Sequence, residues 1–315
     1  MPEGATRALL AVQAGDGHAW ELPGRVPLDP VCTLLWLPAL GVAARHYLPL
    51  AEALAARRVA VFVHEWRGHG SSNLRAGHGR DWGYRELLEV DIPASQQALD
   101  RHLALAEKRL GGHSLGGQLA CCRVALDAQA ANALWLVASG APYWRAFPFP
   151  ARYALPLGYR LLPWLAERHG ALPGRRIGFG GAEARGVMND WAQTARSGRY
   201  GGRGIQVELE SALATVTAEL RAVLFTRDWL APPSSLRFLA AKMPLSPTRV
   251  RMLDSSGLGA RADHFEWMRH PQRVAECLLG DGMPDEGIFG DGLPGPERAL
   301  ELHARTGRVR GHPAP

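Results

Sequence analysis

The stretch that most constrains this chain is Gly112-His113-Ser114-Leu115-Gly116-Gly117, a run of small residues between an apolar segment and an amphipathic one. Lys108 to Gly112 reads as a short strand. Leu115 to Ala128 reads as a helix, because Leu115, Leu119, Cys122 and Leu126 recur at spacings of 4, 3 and 4. A chain that passes from strand to helix through one serine must turn sharply, and Gly112 and Gly116 leave the turn room that side chains would fill. The helix would then begin at Ser114, with its free N–H groups and positive dipole end beside the serine hydroxyl.

Around that turn, short apolar strands alternate with helices: strand Thr33 to Leu37, helix Arg45 to Ala56, strand Val59 to His64, helix Pro93 to Ala106 and strand Ala133 to Val137. This alternation predicts an α/β fold with a mostly parallel central sheet covered by helices on both faces. Tyr47, Leu50 and Leu54 give the first helix one buried stripe, and Asp91 with Pro93 reads as the cap and first turn of the second. Ahead of this core, Arg7 to Ala14 and His18 to Leu22 flank Asp16-Gly17, a pair suited to the positive φ of a tight hairpin turn. Strands resume at Val223 to Thr226 and Thr248 to Leu253, with helices from about Pro233 to Lys242 and from Pro271 to Leu279. Between them the rhythm stops. The predicted organisation is a core in two parts, 1–141 and 220–280, a mostly helical cap inserted at 142–219, and a poorly ordered C-terminal tail at 281–315.

The formal net charge of +6 comes almost wholly from arginine, since lysine occurs only at Lys108 and Lys242. No block of like charges is present, which argues against a nucleic-acid surface. Ala8 to Val12 is too brief for the apolar region of a signal peptide, and the apolar run Val31 to Ala44 contains Pro38 and falls short of a membrane span. A cytoplasmic protein without a membrane span is expected. Cys32, Cys121, Cys122 and Cys277 lack metal-ligand spacing or a disulfide framework, so reduced thiols, no metal and no cofactor are expected. A homodimer is left open.

A serine hydroxyl needs a base, and the base needs an acid to fix its tautomer and stabilise its charged form. Asp228 directly follows the strand Val223 to Thr226 and is the candidate acid, with Asp254 after the next strand in reserve. His264, between the last strand and the last helix, is the candidate base, and the order Ser114, Asp228, His264 is one such folds use. His113 adjoins the serine but should point away, and His46, His64 and His69 fit the order badly. The N–H of Leu115 is the first candidate for an oxyanion hole, and the N–H of Leu40, in the loop Leu37 to Val42, is the second. Trp66-Arg67-Gly68-His69-Gly70 reads as a Gly-rich structural turn. Trp144, Phe147, Phe149, Tyr153, Tyr159 and Trp164 would either line an apolar pocket or pack the cap.

With these residues assembled, the chain resembles the α/β-hydrolase superfamily over roughly residues 20 to 280, and within it a bacterial group of predicted serine α/β-hydrolases of unsettled function. Pro38-Ala39-Leu40-Gly41-Val42, Arg67-Gly68-His69-Gly70-Ser71, Gly112 to Gly117, Gly186-Val187-Met188, Asp190-Trp191 and Asp263-His264-Phe265 carry the resemblance. It departs from many esterases in having Pro38-Ala39 where they have a His-Gly pair, and Glu65-Trp66-Arg67-Gly68 where an Asp-Arg-Gly turn is common. The resemblance implies hydrolysis of a carboxylic ester or thioester of a small, mainly apolar substrate through an acyl-enzyme. The same residues would serve an acyltransferase, and a non-catalytic small-molecule-binding protein of this fold is the alternative from another class.

Overall fold

The computed structural model describes residues 5–280, so the predicted tail lies outside the described residues. Gly17 adopts φ +85° and turns strand β1 (Thr6–Gln13) back onto β2 (Ala19–Val26), paired antiparallel from Thr6 with Val26 to Gln13 with Ala19. The strands that follow are β3 (Cys32–Leu37), β4 (Val59–Val63), β5 (Lys108–His113), β6 (Ala133–Val137), β7 (Glu219–Phe225) and β8 (Thr248–Leu253). They form one eight-stranded sheet in the order β1-β2-β4-β3-β5-β6-β7-β8. β2 meets β4 antiparallel, and every later pairing is parallel. Every residue of β3 and β4 is buried, as strands covered on both faces require.

Two bodies of apolar side chains account for that burial. One face carries helix α1 (Leu48–Ala55) and the last helix, α10 (Gln272–Leu279), with Leu50, Leu54, Trp267, Val274 and Leu278 packed on the sheet. The other carries α2 (Ile92–His102), α3 (Leu115–Leu126) and α8 (Pro233–Ala240). From β3 the chain runs outward to β4 and then crosses back to β5 on the other side of β3. The loops after β3 and β5 therefore diverge, opening a crevice at the carboxyl ends of these strands.

The chain between β6 and β7 is helical, with α4 (Ala151–His169), α5 (Gly174–Ile177), α6 (Arg185–Ser197) and α7 (Leu209–Leu213); α9 (Ser255–Leu258) follows β8. Among the described residues, no helix is long and apolar enough to cross a membrane.

Two local expectations are corrected. Asp91 does not cap a helix: it has helical dihedrals and ends a π-helical turn, Glu86–Asp91, that runs into α2. Pro93 supplies no N–H to the turn before it, and the backbone answers with the wider pattern, the Ile92 N–H donating to the Leu87 carbonyl. Asp91 is instead fully buried and takes the Arg67 guanidinium at 2.6 and 2.9 Å and His18 Nδ1 at 2.9 Å. β7 begins at Glu219, four residues earlier than the apolar run suggests, because its pairing with β6 runs from Ala133–Glu219 to Val137–Val223.

Candidate functional site

Ser114 sits between β5 and α3 with φ +53° and ψ −117°, a conformation costly for any residue with a side chain. Its neighbours make the turn possible. A Cβ on Gly112 would lie 2.3 Å from the Gly116 backbone, and one on Gly116 would lie 2.1 Å from the Leu37 carbonyl oxygen. The Ser114 N–H donates to the Val137 carbonyl at 3.1 Å, and the Ser139 hydroxyl donates to the Ser114 carbonyl at 2.7 Å. The serine itself is only half-buried, and Leu115 heads the helix, where its N–H has no intrahelical acceptor.

Asp228 and His264, 36 positions apart in sequence, meet at the same end of the sheet. The Asp228 side chain receives the Leu230 and Ala231 N–H groups on Oδ1 at 2.9 and 3.1 Å, leaving Oδ2 for His264 Nδ1 at 2.8 Å. Both residues are buried. The Trp267 indole N–H donates to the His264 carbonyl at 3.0 Å and fixes the loop from below. The His264 ring lies 4.7 Å, centroid to centroid, from that of His113, the residue before Ser114. The reserve acid, Asp254, is solvent-exposed and caps α9 through the Gly257 N–H at 2.7 Å.

The loop after β3 is held from two sides. The Trp66 indole N–H donates to the Pro38 carbonyl at 2.9 Å, and the Ala39 N–H donates to Tyr47 Oη at 2.9 Å. Gly41, at φ +76°, turns the loop so that the Val42 N–H returns to the Ala39 carbonyl at 3.1 Å. Leu40 and Leu115 line a cleft of about 10 Å³ with Trp66, Arg67, Trp82, Leu87, Glu183 and Val187, room for about one water. The bonds that Tyr47, Trp66 and Ser139 make are not legible in the sequence, since a buried aromatic residue and a small hydroxyl look like core until the partner is known.

Three further histidines are held by structural contacts. His113 is fully buried, as expected of a side chain pointing away, and its Nδ1 lies 2.8 Å from Tyr47 Oη. Burial pushes the His64 pKa down to about 3, and its Nδ1 lies 2.9 Å from Ser95 Oγ. His69 Nε2 lies 3.2 Å from Glu183 Oε2, joining the Gly-rich turn to the segment between β6 and β7. Among the described residues, no three His, Cys, Asp or Glu side chains are grouped to hold a metal. The aromatic set divides: Phe147 and Tyr159 are buried, while Phe149, Tyr153 and Trp164 stand in solvent and cannot line an enclosed pocket.

The family model described as "Alpha/beta hydrolase family" matches residues 34–277. No curated protein sequence matches the chain. Among solved structures, a hydrolase from Pseudomonas aeruginosa is similar at 20% identity and a TM-score of 0.54, over 86% of this chain and 97% of its own. A thermophilic esterase from Thermogutta terrifontis is similar at 18% identity and a TM-score of 0.56, over 87% of this chain and 97% of its own. The thioesterase domain from the curacin biosynthetic pathway is similar at 17% identity and a TM-score of 0.54, over 87% and 99%. At such identities the likeness is one of fold.

Proposed function

Because this chain belongs to the alpha/beta hydrolase family, we propose that it is a serine hydrolase cleaving a carboxylic ester or thioester of a small, mainly apolar substrate. In this reading Ser114 attacks the carbonyl carbon and His264 takes its proton. The N–H groups of Leu115 and Leu40 receive the oxyanion. Collapse of the tetrahedral intermediate expels the alcohol or thiol, which takes the proton back from His264, and leaves an acyl-enzyme. Water, deprotonated by His264, then attacks the acyl carbon, and the free acid leaves as Ser114 recovers its proton. Asp228 accepts the His264 Nδ1–H and stabilises the imidazolium.

The observation that carries the proposal is the Asp228–His264 hydrogen bond of 2.8 Å at the sheet end where Ser114 occupies a strained strand-to-helix turn. The Leu230 and Ala231 N–H groups hold Asp228, and the Tyr47 contact takes the Ala39 N–H and leaves Leu40 as the next donor of its loop. Leu87, Val187 and two tryptophans beside Leu40 and Leu115 make the surroundings of the proposed oxyanion donors mainly apolar, which supports an apolar acyl group.

A fluorophosphonate probe tests the reading directly. Covalent labelling of the wild-type protein that disappears in Ser114→Ala and weakens in His264→Ala is the expected result; absence of wild-type labelling beside a reactive control hydrolase overturns it. A panel of esters with increasing acyl length then tests the pocket, with a preference for charged acyl groups as the contrary outcome. Added alcohol or thiol acceptors distinguish acyl transfer, in which a new ester replaces the free acid.

A further inference from the structure

Helix α4 is apolar on two sides. Tyr159, Pro163 and Ala166 are buried on the side that packs against α6, as a surface helix requires. On the outer side, Tyr153 is 69% exposed, Leu157 71%, Leu161 47% and Trp164 59%, and Phe149, just ahead of the helix, is 78% exposed. The spacings of 4, 4, 4 and 3 set these five side chains in one stripe, about 22 Å long at 1.5 Å per residue. Large apolar groups so aligned are costly to leave in water and mark a contact surface.

The charge around the stripe selects the partner. Residues 142–182 contain six arginines, at positions 145, 152, 160, 168, 175 and 176, and a single carboxylate, Glu167. That carboxylate is engaged, taking Asn189 Nδ2 at 3.0 Å and Arg185 Nη1 at 3.6 Å. Arg160 and Arg168 fall on the same side of α4 as the stripe and are exposed, and Arg145, just ahead of the helix, is exposed as well. Two copies of the chain joined through this face would bring the arginine sets against each other, which disfavours self-association here. The centre of the stripe, Leu157 and Leu161, has no polar group to read a base or a peptide. An apolar ridge with aromatic residues at both ends and a cationic fringe matches the interface of an anionic bilayer, where the rings sit at headgroup depth and the guanidinium groups meet lipid phosphates.

We propose that the outer face of α4 docks this protein on anionic lipid surfaces, lying in the plane of the interface without crossing it. The proposal is independent of the reaction assigned to Ser114. In co-sedimentation of the full-length protein with vesicles, half phosphatidylglycerol and half phosphatidylcholine, we expect binding about tenfold or more tighter than to phosphatidylcholine alone, and weakened by salt. Leu157→Glu/Leu161→Glu should reduce binding to both vesicle types. Arg160→Gln/Arg168→Gln should reduce the preference for anionic vesicles about tenfold. Circular dichroism and melting temperature confirm that these surface variants fold, and the two pairs act on different forces, so one can test the face if the other fails to fold. The proposal is overturned by wild-type protein that stays in the supernatant with anionic vesicles at low salt, or by binding that both folded variants retain. It is likewise overturned by a dimer in light scattering that Leu157→Glu/Leu161→Glu dissolves, which would assign the face to a second copy, or by single-stranded DNA displacing the vesicles from it.

Discussion

Tyr47 Oη lies 2.8 Å from His113 Nδ1 while it accepts the Ala39 N–H at 2.9 Å. The phenol thus bridges the Ala39 N–H and the His113 ring. Burial pushes the Tyr47 pKa up, and burial with the nearby His264 pushes the His113 pKa well down, so a neutral phenol meets a neutral imidazole. One side chain thereby joins the loop of the proposed oxyanion donor Leu40 to the residue that precedes Ser114.

Removing that hydroxyl should disturb the site without touching substrate. Tyr47→Phe strands a buried imidazole nitrogen and a backbone N–H, at a cost of about 1–3 kcal/mol of stability for each group left unsatisfied. The loop would relax, and a displacement of ångström scale is worth up to about a hundredfold in rate. We expect kcat for a small ester to fall about 10- to 100-fold with KM nearly unchanged. Steady-state kinetics with thermal denaturation check this: a loss of stability with unchanged kcat would confine Tyr47 to a structural part.

Asp228→Asn isolates the role of the acid. The amide can keep its oxygen toward the Leu230 and Ala231 N–H groups, and then presents its nitrogen to His264 Nδ1 in place of Oδ2. That nitrogen donates, so His264 is held in the tautomer whose Nε2 carries the hydrogen and cannot take the serine proton. A loss in kcat of about 10⁴-fold is expected, with far-UV circular dichroism unchanged. Asp254→Asn, on the exposed cap of α9, should leave kcat intact; the reverse pattern would move the acid to Asp254.

The strain at Ser114 separates function from stability. At φ +53° and ψ −117°, a residue with a Cβ costs about 1–3 kcal/mol, which glycine does not incur, although glycine gains about 0.5–1 kcal/mol more freedom when unfolded. Ser114→Gly should therefore raise the melting temperature by a few degrees while abolishing turnover and probe labelling. Ser114→Ala keeps the Cβ and should lose activity without that gain. Equal melting temperatures for the two variants would show that the turn carries little strain.

The legible parts of this molecule are those fixed by neighbours in sequence. Asp16-Gly17 announces the hairpin, Gly112 and Gly116 the tight turn, and the apolar runs the parallel strands, because a tight φ or a crowded Cβ is a local demand. The functional assignments depend on partners far along the chain. Asp91 reads as a helix cap from its neighbours alone, because its partners, Arg67 and His18, lie 24 and 73 positions away. Tyr47 fits a buried helical stripe equally well whether or not its hydroxyl reaches His113, 66 positions on. On α4, apolar residues around the whole circumference give no phase, so the outer side could not be told from the inner before the packing on α6 was known. The chain order of Ser114, Asp228 and His264 was readable, since each follows a strand of recognisable pattern.

His69 and Glu183 tie the Gly-rich turn to the helical segment after β6. Burial alone would lower the His69 pKa, but the Glu183 carboxylate at 3.2 Å, helped by Glu65 and opposed by Arg175, more than offsets it, and the net shift is upward. The folded protein therefore holds this proton more tightly than the unfolded chain, whose histidine titrates near 6.5. The pair's contribution to stability is complete below about pH 6.5 and is lost as pH rises through the raised folded value. His69→Gln should lower the melting temperature most near pH 6 and least near pH 9, and Glu183→Gln should follow the same profile. In a double-mutant cycle at about pH 6 we expect a coupling of about 0.5–3 kcal/mol, shrinking at higher pH. A coupling that stays constant from pH 6 to 9 would mean that the contact is a neutral hydrogen bond, and the tie would then carry no pH dependence.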